Sequence, residues 1–101
     1  MSAQPAGLAV SVTVVNELQE EGGLTIVWLK ATAESSSQSV ACAWDWTDDG
    51  RLDTRPSLQT VVSHSYRCAS QFTARVVAVN YQGEGAQDTV TFRTLPCAAP
   101  R

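Results

Sequence analysis

Apolar and polar positions along this chain alternate with a period of two. Leu8, Val10, Val12 and Val14 alternate with Ala9, Ser11 and Thr13, which predicts a first strand. Residues 24–33 predict a second strand that is apolar on both sides: Thr25, Val27, Leu29, Ala31 and Ala33 on one, Leu24, Ile26, Trp28 and Lys30 on the other. Residues 39–46 set Val40, Cys42, Trp44 and Trp46 against Ala41, Ala43 and Asp45, and read as the central strand of the fold. A short edge strand is expected over 58–63. Further strands are expected over 72–80, with Phe72, Ala74, Val76 and Ala78 on one face, and over 87–95, with Val90 and Phe92 on one face. Turn signals separate them: a polar stretch over 16–23 ending in Gly-Gly, a serine-rich loop over 34–38, an acidic turn over 47–56, and Gly83 and Gly85 in a hairpin turn. A helix has one candidate place, residues 12–21, where Glu and Leu cluster without a clear stripe of period 3.6. The pattern predicts an all-β sandwich of about seven antiparallel strands over 8–95, with a linker at 1–7 and a tail at 96–101.

The facing of the second strand decides where a binding surface lies. Ala31 and Ala33 are small and suit the space beside a buried indole, so their side is placed inward against Trp44. Trp28 then lies on the outer face with Ile26 and Leu24, a candidate carbohydrate platform or protein interface. The opposite reading turns Trp28 into the core and puts Val27 and Leu29 outside.

Composition narrows the function classes. The 101 residues fit one domain, and 44% apolar content allows one packed core. Charged residues are only 17% and the net charge is −3, with scattered basic residues, so no nucleic-acid partner is expected. No apolar run approaches a bilayer span, and residues 1–10 lack a signal-peptide pattern. No Asn-x-Ser/Thr site occurs. The expected source is a larger secreted or surface protein, with flanking domains as neighbours.

Three clusters could carry chemistry. Asp45, Thr47, Asp49, Gly50 and Asp53 follow a calcium-loop spacing, with Leu52 at the apolar eighth position. Position twelve is Pro56, so the closing bidentate carboxylate is missing, and a solvated turn explains the same residues. Three cysteines leave one unpaired. For a turn centred near Gly83, residues whose numbers sum to about 166 face each other, which brings Cys68 and Cys97 together as a disulfide. A one-residue slip would turn one thiol away. Cys42, among core positions, is expected to stay reduced. His64 adjoins Ser63 and Ser65, but neighbours on a strand point oppositely, so no triad and no enzyme are expected. His64 instead closes a corner, and Tyr66 packs its ring and bonds upstream backbone.

Trp44-Asp45-Trp46 before an Asp/Gly-rich turn, His64-Ser65-Tyr66, and Phe72 through Asn80 followed by Gly83 together resemble the PKD (polycystic kidney disease) domain. That family carries a Trp-Asp-Phe-Gly-Asp-Gly-like stretch, a His-Thr-Tyr-like corner and a Tyr-x-Val-x-Leu-x-Val-x-Asn strand. Here Trp46 stands for Phe, Thr47 for the first Gly, Phe72 for Tyr, and Cys68-Ala69-Ser70 for the usual Pro-Gly. The resemblance implies an immunoglobulin-like sandwich with Trp44, Trp46, His64, Tyr66, Phe72 and Val76 as core and corner residues. It also implies a non-catalytic extracellular spacer or adhesion unit without a cofactor. The alternative is an accessory domain that holds a secreted hydrolase on polysaccharide or collagen. Tyr66-x-Cys68 is similar to the immunoglobulin tyrosine corner, but the cysteine expected on the second strand is absent, which argues against a true immunoglobulin domain.

Overall fold

A computed structural model of the chain describes residues 7–35 and 39–98. The expected linker therefore lies almost wholly outside the described residues, as do residues 36–38 of the serine-rich loop and the end of the tail. Six strands follow one another among the described residues: β1 (Leu8–Glu20), β2 (Leu24–Ser35), β3 (Val40–Asp45), β4 (Val61–Arg67), β5 (Gln71–Asn80) and β6 (Gly85–Arg93). They form two three-stranded sheets, ordered β1-β2-β4 and β3-β5-β6, and every pairing is antiparallel. The sheets stack as a β-sandwich.

The alternation in β2 sets the layering. Thr25, Val27, Leu29 and Ala31 are buried, while Leu24, Ile26, Trp28 and Lys30 face outward. The inner row meets Cys42, Trp44, Ala74, Val76 and Ala78 from the other sheet. Trp44 sits opposite Val76 in the β3–β5 ladder and is 2% exposed. The alanines at 31, 74 and 78 fit their sites because a fully packed interior has no spare volume beside an indole.

Three expectations are corrected. β1 continues to Glu20, where a turn was expected over 16–23 and a helix had its one candidate place over 12–21. The register shifts between Val14 and Asn16, leaving Val15 as an extra residue. Beyond that bulge the phase inverts: Glu17 and Gln19 oppose the inner-row residues Val27 and Thr25, and Leu18 turns outward opposite Ile26. Only Glu21 to Gly23 make the turn, with Gly22 and Gly23 at φ of 83° and 79°, in the left-handed region that favours glycine.

The second correction concerns β3. It lies at the edge of its sheet, and β5 is central. Its outer edge is covered all the same, since Cys42 and Ser57 exchange backbone hydrogen bonds of 2.7 and 3.0 Å. Thr54 Oγ1 also accepts the Trp44 N–H at 2.9 Å. Both faces are buried from Cys42 to Asp45, which is why the sequence reads like a central strand.

The third correction moves the expected 58–63 strand. Ser57 bridges β3, Leu58 is 70% exposed, and the ladder with β2 starts at Val61 and takes in His64 to Tyr66.

Replacing the sealed indole tests this account. Trp44→Ala should lower the unfolding free energy by about 3–5 kcal/mol in urea titration. Val15→Ala, at an exposed bulge, should stay within about 0.5 kcal/mol of the parent.

Candidate functional site

A column of rings fills one end of the sandwich. Trp44 stacks on Trp46 at 6.0 Å between centroids, and Trp46 stacks on His64 at 4.6 Å and 10°. His64 meets the edge of Tyr66, which packs against Phe72 and Phe92. Tyr66 Oη donates to the Trp46 carbonyl at 2.7 Å, so the expected bond to upstream backbone is present. Burial pushes the Tyr66 phenol far above its ordinary pKa, with the Asp53 and Asp45 charges adding to it. Burial lowers the His64 pKa, against the pull of Asp53 upward. Trp46 is thus stacked against two rings and is itself half-buried. Ser63 and Ser65 lie on the opposite side of β4 from His64, and Ser65 Oγ bonds Glu20 Oε1 at 3.0 Å.

The acidic turn has a different task from the one its spacing suggests. Asp45 is 1% exposed. Its Oδ1 accepts N–H groups from Thr47 at 3.4 Å and Asp49 at 3.2 Å, and its Oδ2 accepts Gly50 N–H at 3.0 Å. Asp53 Oδ2 accepts the Trp46 N–H at 2.8 Å, and Asp49 Oδ1 accepts the Arg51 N–H at 2.9 Å. Among the described residues no three metal-capable side chains gather, and Asp45, Asp49 and Asp53 each accept a backbone N–H at this corner. Asp48 and Gly50, with φ of 55° and 89°, complete it, and Asp48 pairs with Arg75 Nε at 2.7 Å. Burial alone would raise the Asp45 pKa; the Asp49, Gly50 and Thr47 N–H groups outweigh it and hold the carboxyl below its usual range.

The cysteines divide as the hairpin register suggests. Cys68 and Cys97 form a disulfide with 5.0 Å between Cα atoms, and Cys42 is a buried free thiol whose pKa burial raises. Around the bridge, Ala69 N–H bonds Leu95 C=O at 2.8 Å, and Thr94 Oγ1 accepts the Ser70 N–H and bonds Arg67 C=O.

The outer face of the β1-β2-β4 sheet carries the apolar side chains that most resemble a contact surface. Trp28 and Ile26 are half-buried there, and Leu24 is 40% exposed. Across the ladder, Asn16 and Ser63 flank Trp28, while Leu18 and Ser65 flank Ile26. Leu18 belongs to this patch and was missed from sequence, because the bulge at Val15 hides the strand that presents it. Among the described residues no helix is long and apolar enough to cross a membrane. Compared with known proteins, the chain matches no family model, no curated protein and no solved structure.

Two measurements probe the turn and the bridge. Asp45 supports folding fully above about pH 4, the ordinary aspartate value, and that support drains away as pH falls through its lower folded pKa. Asp45→Asn should cost about 2 kcal/mol at pH 7 and flatten the stability profile, with the gap from wild type closing once pH has fallen below the lowered folded pKa. Removing the bridge by Cys68→Ala with Cys97→Ala, which opens a sequence separation of 29, should cost about 3–4 kcal/mol in chemical denaturation.

Proposed function

We propose that this chain is a non-catalytic, PKD-like module of immunoglobulin-like topology, extracellular, working as a spacer and adhesion unit of a larger protein. The strand order carries the reading. Among the described residues, sheets β1-β2-β4 and β3-β5-β6 have the order expected for A-B-E and C-F-G of an immunoglobulin constant-type domain, without a counterpart of its fourth strand in the first sheet, and this supports the reading. The Tyr66 hydroxyl bond and the three matching sequence blocks support the same assignment. The Cys68–Cys97 bridge supports an oxidising compartment.

The adhesive surface in this reading is the Trp28 face. Trp28 shares it with the aliphatic Ile26, Leu24 and Leu18. A mixed, branched surface suits a protein partner better than a flat sugar ring, which needs an open aromatic face. The test is retention on chitin, cellulose and collagen beads, with Trp28→Ala as control. The expected result is no retention above the control on any of the three. Retention that Trp28→Ala abolishes would replace this reading with an accessory domain of a secreted hydrolase. Non-reducing peptide mapping of protein from an oxidising compartment should recover Cys68 joined to Cys97; finding both thiols free would remove the argument for an extracellular site.

A further inference from the structure

One edge of the first sheet is open, and its phase follows from two hydrogen bonds. Cys68 N–H bonds Gly23 C=O at 2.9 Å, and Ala31 N–H bonds Thr60 C=O at 2.8 Å. In the same register Val62, His64 and Tyr66 exchange bonds with β2, so Val61, Ser63, Ser65 and Arg67 aim their backbone groups away from it. Thr94 Oγ1 takes the Arg67 C=O. Among the described residues, the N–H and C=O of Val61, Ser63 and Ser65 and the N–H of Arg67 have no protein partner. Two open grooves run beside this edge. One, of about 360 Å³, is lined by Trp44, Arg55 and Val61 to Ser63; the other, of about 410 Å³, by His64 to Arg67 and Phe72. Arg55 is the one formally charged residue lining the first and Arg67 the one lining the second, and no carboxylate lines either. The Asp53 charge acts on His64 and Tyr66 beside the second groove, so the local reversal in this chain of net charge −3 is at the first. Trp44, whose buried indole N–H has no partner, also lines the first groove. β6 also ends its sheet, yet it lines neither groove.

We propose that the free edge of β4 is a strand-addition site for an extended acidic peptide segment of another protein. The segment lies antiparallel to β4 and completes the ladder with its own backbone. Its side chains opposite Val62 and Tyr66, four positions apart, point toward the grooves, and the one opposite Val62 carries a carboxylate toward Arg55 and the Trp44 indole N–H, while the Arg67 side chain lies on the outer face with Ser63 and Ser65. The position between them, opposite His64, is small, because the His64–Trp46 stack occupies the space there. A second copy of this chain fits less well. The partner's Val62 and Tyr66 would stay packed in its own core and leave both grooves empty. The site is distinct from the Trp28 face, so Trp28→Ala separates the failure of one reading from that of the other.

The probe is the capped heptapeptide acetyl-Thr-Thr-Thr-Ala-Thr-Glu-Thr-amide, titrated into isotope-labelled full chain at low salt and followed by amide chemical shifts. Saturable shifts are expected at Val61, Ser63, Ser65 and Arg67. Affinity should fall about tenfold when Gln replaces the Glu, or on Arg55→Glu, and should weaken as salt rises. N-methylation of the two central threonines should abolish binding, and Trp28→Ala should leave it unchanged. The proposal is overturned by unsaturated shifts up to about 10 mM peptide, by shifts centred elsewhere, or by equal binding of the N-methylated peptide. It is also overturned if these amides gain exchange protection with rising protein concentration alone, which would seat a second copy on the edge.

Discussion

Tyr66 joins the two layers at one atom. Its ring stands on β4 in the first sheet, and its hydroxyl holds the carbonyl of Trp46, just past the end of β3 in the second. A buried phenol without such a partner would give back about 1–3 kcal/mol of what its ring gains by packing. The bond therefore fixes where the chain leaves β3. Trp46, held there, lies parallel to His64 and covers Trp44, so one polar contact positions the whole stack of rings. The pleated layers around it are made of small and branched residues that could pack in more than one offset. The rings and the hydroxyl select one.

The acidic turn depends on the same corner. Asp45 is the last residue of β3, and its carboxylate lies buried while it gathers three amides of the following turn. Burying that charge is tolerable because the N–H groups replace its water. The turn then returns along β3, with Asp53 and Thr54 bonding the backbone of Trp46 and Trp44. The returning segment shields the β3 edge, as a seventh strand would, but with side chains as well as backbone. Among the described residues the β4 edge receives no such cover, and this difference between the two edges distinguishes the fold from a fully closed sandwich.

Much of this architecture was readable in the chain. The facing of β2 followed from two alanines whose small volumes only suit the side toward Trp44. The Cys68–Cys97 bridge followed from hairpin arithmetic: in the β5–β6 ladder opposed residues sum to 164, as Gln71 and Arg93 do, and the cysteines sit just beyond that ladder's end. What stayed hidden depended on breaks in periodicity or on long-range cover. Val15 inverts the phase of β1, so Leu18 and Glu20 read as turn residues. β3 reads as central because both its faces are buried, and burial says nothing about which neighbours bond its edges. Asp45 has the type and spacing of a calcium ligand. Only its position inside the strand, where solvent is excluded, marks it as a cap for amides.

The bridge also governs how this unit would respond to tension between its ends. Leu8 pairs with Ser35 at one end of the first sheet, while Cys68 lies beside Gly23 at the other and holds Cys97 there. Pulling the termini apart therefore loads β1 along its own axis, in shear, with many ladder bonds resisting together. The segment from Cys68 to Cys97, which contains all of β5 and β6, is a closed covalent loop outside the load path, so two of the second sheet's three strands cannot be drawn out. A chain stretched in this way would yield from its N-terminal side and keep a stapled remnant from which to reassemble.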